Sequence, residues 1–195
     1  MTSGLFLGDA AARLRASVVA IVDDSRRQAG GGHGAGIAWS GDLFVTSAHV
    51  VTKKKAIVLT SDGRAIDGTV VARDAARDIA VVQAPQARVP AVTTRDPHDL
   101  RPGSFVFAVG HPMGVRDAVS IGVLQAVRTL PDGYGLNGKG SLPWVQADIR
   151  LAPGNSGGPI ADVEGNVIGV SAMIVSGLAL AVPAPDVEQL LSSLE

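Results

Sequence analysis

Ser156 stands in the run Gly154-Asn155-Ser156-Gly157-Gly158-Pro159, where glycines on both sides leave its hydroxyl and the neighbouring backbone N–H groups uncovered. A hydroxyl displayed in this way can attack a carbonyl carbon, provided that a base removes its proton as the bond forms. Thr46-Ser47-Ala48-His49-Val50-Val51 offers an imidazole, the side chain whose ordinary titration range suits a base working near neutral pH. Arg77-Asp78-Ile79-Ala80-Val81-Val82 offers a carboxylate that can fix the tautomer of that imidazole and stabilise its protonated form. The order His49, Asp78, Ser156 therefore describes acyl transfer by an activated serine. The negative oxygen of the tetrahedral intermediate needs donors, and the backbone from Gly154 through Asn155 to Ser156 is the candidate oxyanion hole, with the N–H groups of Gly154 and Ser156 as the expected pair. Glycine at 154 leaves room for the substrate oxygen and for the backbone turn that aims the N–H.

Other residues of the same types read differently. Asp74 lies four positions before Asp78 and is its rival as the acid; Asp78 is preferred because the apolar run beginning at Ile79 would hold it at the edge of a lobe. His33, His98 and His111 sit among Gly, Pro and Asp and are expected on the surface or in turns. Gly154-x-Ser156-x-Gly158 also fits the nucleophile elbow of the α/β-hydrolases, but that fold takes its histidine after the serine, and no histidine follows His111. Gly133 to Gly140 has the glycine and lysine spacing of a phosphate-binding loop, with glycine where a magnesium-binding Ser or Thr belongs and Pro143 following before a helix could form. A flexible surface loop is expected there. No cofactor and no metal is expected.

These groups need a scaffold, and composition says which kind. With 195 residues, 46% of them hydrophobic, the chain can bury the core of one domain or of two small lobes. A net charge of −1 gives no general pull toward nucleic acid or an anionic membrane, and Lys53-Lys54-Lys55 is expected to be a solvated turn. Cysteine is absent, which removes disulfides and thiol catalysis. Glycine and proline punctuate short β-branched runs at Ser17 to Val22, Ile37 to Trp39, Leu43 to Thr46, Ala56 to Leu59, Thr69 to Ala72 and Ile79 to Gln83. More follow at Phe105 to Val109, Ala118 to Val127, Trp144 to Ala147, Val167 to Val170 and Leu178 to Val182. Many short strands at such spacing predict an all-β sandwich or barrels. Ala84 to Gly103, with Pro85, Pro90, Pro97 and Pro102, predicts a connection between two strand-rich lobes. Helices are expected over Asp9 to Ala16, capped by Asp9, and over Asp186 to Leu194, where Val187, Leu190, Leu191 and Leu194 share a face. Gln28 to Gly36 reads as a glycine-rich turn, and the uncharged run from Gly165 to Pro185 as two buried strands and a turn rather than a membrane span. No internal sequence repeat is visible.

Taken together, the segments resemble chymotrypsin-fold serine proteases of the HtrA/Deg type. The matching pieces are Gly34-Ala35-Gly36-Ile37-Ala38, Thr46 to Val51, Asp62-Gly63 through Ile79-Ala80-Val81, Gly110-His111-Pro112-Met113-Gly114, Gln146-Ala147-Asp148, Pro153 to Pro159 and Leu178 to Pro183. The resemblance implies two six-stranded antiparallel β-barrels, at about 17–84 and 104–183, joined through 85–103, with the active site in the cleft between them and a C-terminal helix at 186–194. It also implies a serine endopeptidase that acts on polypeptides through His49, Asp78 and Ser156 and an acyl-enzyme intermediate. By the same resemblance Arg150 falls at the base of the primary specificity pocket with Leu151 beside it, and Ser171, Ala172 and Met173 form the pocket's wall. Selectivity for Lys or Arg is therefore not expected. With Leu178 and Leu180 nearby a small apolar pocket is expected, or a preference for acidic residues if Arg150 points inward.

The chain also departs from that family. HtrA proteins usually carry a C-terminal PDZ domain, whereas this sequence stops just after its last expected helix, so regulation through a PDZ-bound peptide is not expected. No signal peptide is legible in Met1 to Ala20, which favours a cytoplasmic location. Asn155 replaces the aspartate with which pancreatic-type enzymes capture a freed N-terminus, so propeptide cleavage is not the expected switch. The family often trimerises through its N-terminal segment; Leu5, Phe6 and Leu7 are candidates for a homo-oligomer contact, or equally for covering the barrel. The alternative reading is a non-catalytic or latent protease-fold module that binds extended peptides or a regulatory partner.

Overall fold

The computed structural model describes residues 7–23, 33–115, 117–130 and 142–194. Leu5 and Phe6, residues 28–32 of the expected glycine-rich turn and the segment from Gly133 to Gly140 lie outside the described residues; the rest of that expected turn, 33–36, is instead the start of a strand, paired with the one before it. Helix α1 (Leu7–Arg15) precedes the strands β1 (Val18–Asp23), β2 (His33–Ser40), β3 (Leu43–Ser47), β4 (Lys55–Leu59), β5 (Ala65–Asp74) and β6 (Ile79–Gln83). Then come β7 (Phe105–Gly110), β8 (Ala118–Thr129), β9 (Pro143–Ile149), β10 (Pro159–Asp162), β11 (Val167–Val175), β12 (Leu178–Pro183) and helix α2 (Ala184–Ser192). They close into two antiparallel barrels, ordered β1-β2-β3-β6-β5-β4 and β7-β8-β9-β12-β11-β10. Each barrel runs first, second, third, sixth, fifth, fourth, so one topology occurs twice without a repeat in the sequence.

Three apolar clusters hold this together, one inside each barrel and one in the seam between them. Val19, Ile21, Phe44, Val58 and Val82 fill the first barrel; Val106, Leu124, Val145, Ile160 and Ile168 fill the second. The seam collects Ile37, Val45 and Ile79 from one side and Phe107, Trp144, Val170, Leu180 and Val182 from the other. Side chains alternate across a strand, so a seam strand sends one set inward and the next into the seam. This explains why Ile79 to Val82, Val106 to Val109 and Ala179 to Val182 are continuous apolar runs. β5, away from the seam, shows instead the exposed-buried alternation of a half-solvated strand.

Both helices cap the seam cluster. Ala10, Ala11 and Leu14 of α1 and Ala184 and Val187 of α2 are buried in it. α2 begins two residues earlier than its apolar face predicts, because Pro185 occupies the first turn, where a missing N–H is harmless. Leu194 falls beyond its end and is exposed. β10 was not predicted from the sequence: four residues beginning with proline carry too little pattern, and only pairing with β7 and β11 makes them a strand. The run from Gly165 to Pro185 contains β11 and β12, and no helix among the described residues is long and apolar enough to cross a membrane.

Phe44 is wholly buried in the first barrel. Replacing it by alanine should destabilise the domain by about 3–5 kcal/mol, measured as a lowered urea midpoint at unchanged slope.

Candidate active site

The β3–β6 register builds the first half of the site. Pairing runs from Leu43 opposite Gln83 to Ser47 opposite Ile79, so the next residues outward are Ala48 and Asp78. Ala48 N–H donates to the Asp78 carbonyl at 2.9 Å, which extends the ladder by one step. Asp78 then takes a left-handed conformation, φ 60°, a geometry that aspartate tolerates better than most residues. Its carboxylate accepts from the backbone N–H of His49 at 3.1 Å and from the ring Nδ1 at 2.7 Å. Because a carboxylate oxygen accepts, the ring proton sits on Nδ1 and the lone pair on Nε2. The Asp78 side chain is 9% exposed and that of His49 50%, so a buried acid backs an accessible imidazole. The chain after His49 is tied down as well: Asp23 accepts from the N–H and hydroxyl of Thr52, and Arg73 donates to the Val51 carbonyl.

Asp74, the rival acid, is engaged elsewhere. It accepts from Arg77 N–H at 3.0 Å and from Arg77 Nη1 at 3.1 Å, closing the turn before Asp78. Burial alone would raise its carboxyl, but the Arg77 N–H, guanidinium hydrogen bond and charge together hold it below the ordinary 3.8. On the other side of the guanidinium, Asp186 of α2 faces Arg77 Nε at 3.8 Å. Burial pushes the Asp186 carboxyl above its ordinary range, against the pull of Arg77.

The second half is the turn from Leu151 to Gly158. Asn155 N–H donates to Ala152 O at 3.0 Å, Gly158 N–H to Asn155 O at 2.9 Å and Gly157 N–H to Ser171 O at 2.7 Å. The Pro153 carbonyl accepts from Met113 N–H at 3.0 Å, and the Gly154 carbonyl from His111 N–H at 3.2 Å. In a trans peptide the C=O and N–H point oppositely, so fixing the Pro153 carbonyl on Met113 turns the Gly154 N–H away from it. Gly154 has φ +104° and a Cβ there would collide with the His111 carbonyl, so only glycine fits. The N–H groups of Gly154 and Ser156 have no acceptor among the described residues, whereas that of Asn155 is occupied.

Two hydrogen bonds carry this turn across the seam to the histidine side. Ala35 N–H donates to the Ser156 carbonyl at 2.8 Å, and Ser47 Oγ donates to the Ser171 carbonyl at 2.9 Å. Gly157 lies so close to Thr46 and Ser47 that a Cβ would overlap them. Ser156 is thus held beside the strand end that carries His49; no hydrogen bond joins its hydroxyl to His49 among the described residues.

Beside Ser156 opens a cavity of about 220 Å³ walled by Leu151, Pro153, Ala172, Met173 and Ile174, with Ser171 also in its lining and no charged residue. Arg150 is a correction to the sequence-based expectation: it is exposed at the end of β9 and does not line the cavity, because Ile149 takes the buried position before it. His111 is another. It is 3% exposed rather than on the surface, and its Nδ1 accepts from Asp117 N–H at 3.1 Å. His98, by contrast, is exposed. A larger open groove of about 580 Å³, between Trp39, Leu43 and α2, holds none of His49, Asp78 and Ser156.

Residues 34–170 match the family model of the trypsin-like peptidase domain. A DegP-like serine endoprotease of Halomonas elongata is 36% identical over 160 residues, which cover 77% of this chain and 32% of that protein. The chain belongs to the HtrA/Deg-type serine proteases. Serine protease HTRA1 of Xenopus tropicalis is 31% identical over 171 residues, covering 86% of this chain and 37% of its own. This HtrA-type chain therefore spans about a third of the length of these two curated relatives. Among solved structures, the HtrA-type protease AlgW with a tripeptide superposes with a TM-score of 0.85 at 26% identity, over 97% of this chain and 63% of that one. The Rv3671c protease in an inactive form gives 0.81 at 25% identity, over 95% and 92%.

Asp186 yields a pH test of this HtrA-type site. A carboxyl raised in the folded state contributes fully to stability below its unfolded value and loses that contribution as pH rises through the folded one. Asp186→Asn removes the loss. The variant's urea midpoint minus that of the wild type should therefore grow as pH rises from about 4 to 7; a difference independent of pH would show that burial does not disfavour the Asp186 charge.

Proposed function

We propose that this domain is a serine endopeptidase that cleaves polypeptides through an acyl-enzyme intermediate, with Ser156 as nucleophile, His49 as base and Asp78 as the orienting acid. The observation that carries the reading is the pairing of both Asp78 carboxylate oxygens with His49, on the strand end to which the Ser156 turn is tied. Ser156 Oγ attacks the substrate carbonyl carbon while His49 Nε2 takes its proton, and the carbonyl oxygen becomes an oxyanion facing the N–H groups of Gly154 and Ser156. The protonated imidazole, steadied by Asp78, passes that proton to the departing amine. Water, deprotonated by the same Nε2, then attacks the ester carbonyl carbon and releases the acid and the serine.

The substrate backbone has a place to lie. Ser171 is still bonded to Gly157 and Gly158, but beyond it β11 pairs with β12 alone among the described residues, so its edge at Ala172 to Ile174 can accept an extended peptide as an added strand. The cavity next to Ser156 would take the side chain preceding the cut. Its lining of Leu151, Ala172, Met173 and Ile174, without a carboxylate, favours small apolar residues over Lys or Arg. The bound tripeptide named for AlgW is consistent with a peptide ligand for this HtrA-type site.

A fluorophosphonate probe tests the proposal. Wild-type protein should be labelled and Ser156→Ala should not; absence of wild-type labelling would favour a latent enzyme or a peptide-binding module, which casein digestion with added partners would separate. Asp78→Asn should lower kcat by about 10⁴, and an unchanged rate would remove Asp78 from the acid's role.

A further inference from the structure

Arg77 adjoins the proposed acid in sequence, and its guanidinium lies between two carboxylates from different parts of the chain. Asp74, at the end of β5, holds both its backbone N–H and its Nη1. Asp186, in the first turn of α2, approaches its Nε at 3.8 Å, close enough for charge attraction and too far for a hydrogen bond. Among the described residues Arg77 Nε and Asp186 Oδ2 are both buried without a hydrogen-bond partner, and they face each other across that distance. Arg77 thus ties the turn before β6, in the first barrel, to the helix that follows the last strand of the second. His98 is the further charged group whose field reaches Asp186.

The residue that follows is under constraint. Asp78 has φ 60°, a conformation that a non-glycine residue keeps only when its surroundings over-determine it. On one side the constraint is His49, which takes both carboxylate oxygens. On the other it is the Asp74–Arg77 turn, whose position is set by what holds the guanidinium. A planar fork between two carboxylates fixes direction as well as distance, which an ammonium on a flexible stem does not.

We propose that Arg77 is a positioning residue for the acid of the site and that α2 takes part in catalysis through it, Asp186 and Asp74 clamping the guanidinium so that Asp78 stays on His49. This rests on the reading of Asp78, His49 and Ser156 given above. Neither Arg77 nor Asp186 touches substrate; both act on where the Asp78 carboxylate sits.

The test compares Arg77→Leu, Arg77→Lys and Asp186→Ala with wild type, reading kcat and KM on a peptide substrate and the downfield proton resonance of His49 Nδ1–H by NMR. Arg77→Leu should lower kcat by about 10- to 100-fold, as a small misplacement of a reacting group does, with KM changed less than about twofold and the Nδ1–H resonance moved upfield or broadened. Arg77→Lys should recover part of both losses, and Asp186→Ala, altered on a different element, should move both in the same direction to a smaller extent. A lowered melting temperature with kcat and the resonance unchanged would make the clamp merely structural and overturn the proposal. If Arg77→Leu does not fold, the same criterion applied to Arg77→Lys and Asp186→Ala decides. Collapse of kcat in Asp78→Asn beside wild-type kcat in the clamp variants would overturn the positioning role alone. Full activity in Asp78→Asn would instead overturn the reading of the acid, and the proposal with it.

Discussion

His49 and Ser156 come from different barrels, so their relative position depends on what crosses the seam. Hydrophobic burial brings the barrels together without fixing their direction, since apolar contact is roughly proportional to area and indifferent to angle. Direction comes from a few hydrogen bonds: Ala35 N–H to the Ser156 carbonyl and Ser47 Oγ to the Ser171 carbonyl. The Ser171 carbonyl also accepts from Gly157 N–H, so one oxygen ties the serine turn, β11 and the end of β3 together. Glycine at 157 is what lets the backbones approach that closely. The apolar seam supplies cohesion and the polar crossing supplies register.

The same division runs through the site. His49 and Asp78 sit just beyond the β3–β6 ladder and Ser156 in the turn between β9 and β10, where one or two unusual backbone angles redirect the chain. Asp78 leaves the β3–β6 ladder through a left-handed residue, and Gly154 leaves the strand-rich part of the second barrel through φ +104°. Strained or glycine-only positions are tolerable there because neighbouring peptides occupy the space around them: His111 and Met113 hold the carbonyls of Gly154 and Pro153, while Asp74 and Arg77 close the turn before Asp78. The N–H groups left over, at Gly154 and Ser156, have no acceptor among the described residues, while the carbonyls of Ala152, Pro153, Gly154, Asn155 and Ser156 each already accept from another N–H.

Local pattern made most of this legible. Continuous apolar runs marked the seam strands because those strands are buried on both faces, and the start of β6 pointed to Asp78 rather than Asp74 for a reason that the β3–β6 register makes concrete. What escaped was non-local. β10 is four residues long and exists only through its neighbours. His111 looked like a turn residue from its flanking Gly and Pro, and it is one, yet the turn is folded under the Ser156 loop. Arg150 alternates outward from the buried Ile149, so its alignment with a pocket base did not translate into a pocket contact. Asp186 had no signal at all, since nothing in the first turn of a C-terminal helix announces a partner in the opposite barrel.

Asp186 also shows stability and arrangement pulling apart. A half-buried carboxyl whose charge burial disfavours is a poor way to stabilise a helix N-terminus, where an exposed acid would enjoy the helix dipole without desolvation. A partly desolvated pair at 3.8 Å without a hydrogen bond contributes little net stability, so energy alone does not explain its presence. In the proposed clamp it provides direction, a charge on α2 that faces the guanidinium of the turn before β6. Beside a carboxylate whose two oxygens are both engaged by His49, a contact of that kind constrains direction in a way that an additional methyl group in the seam would not.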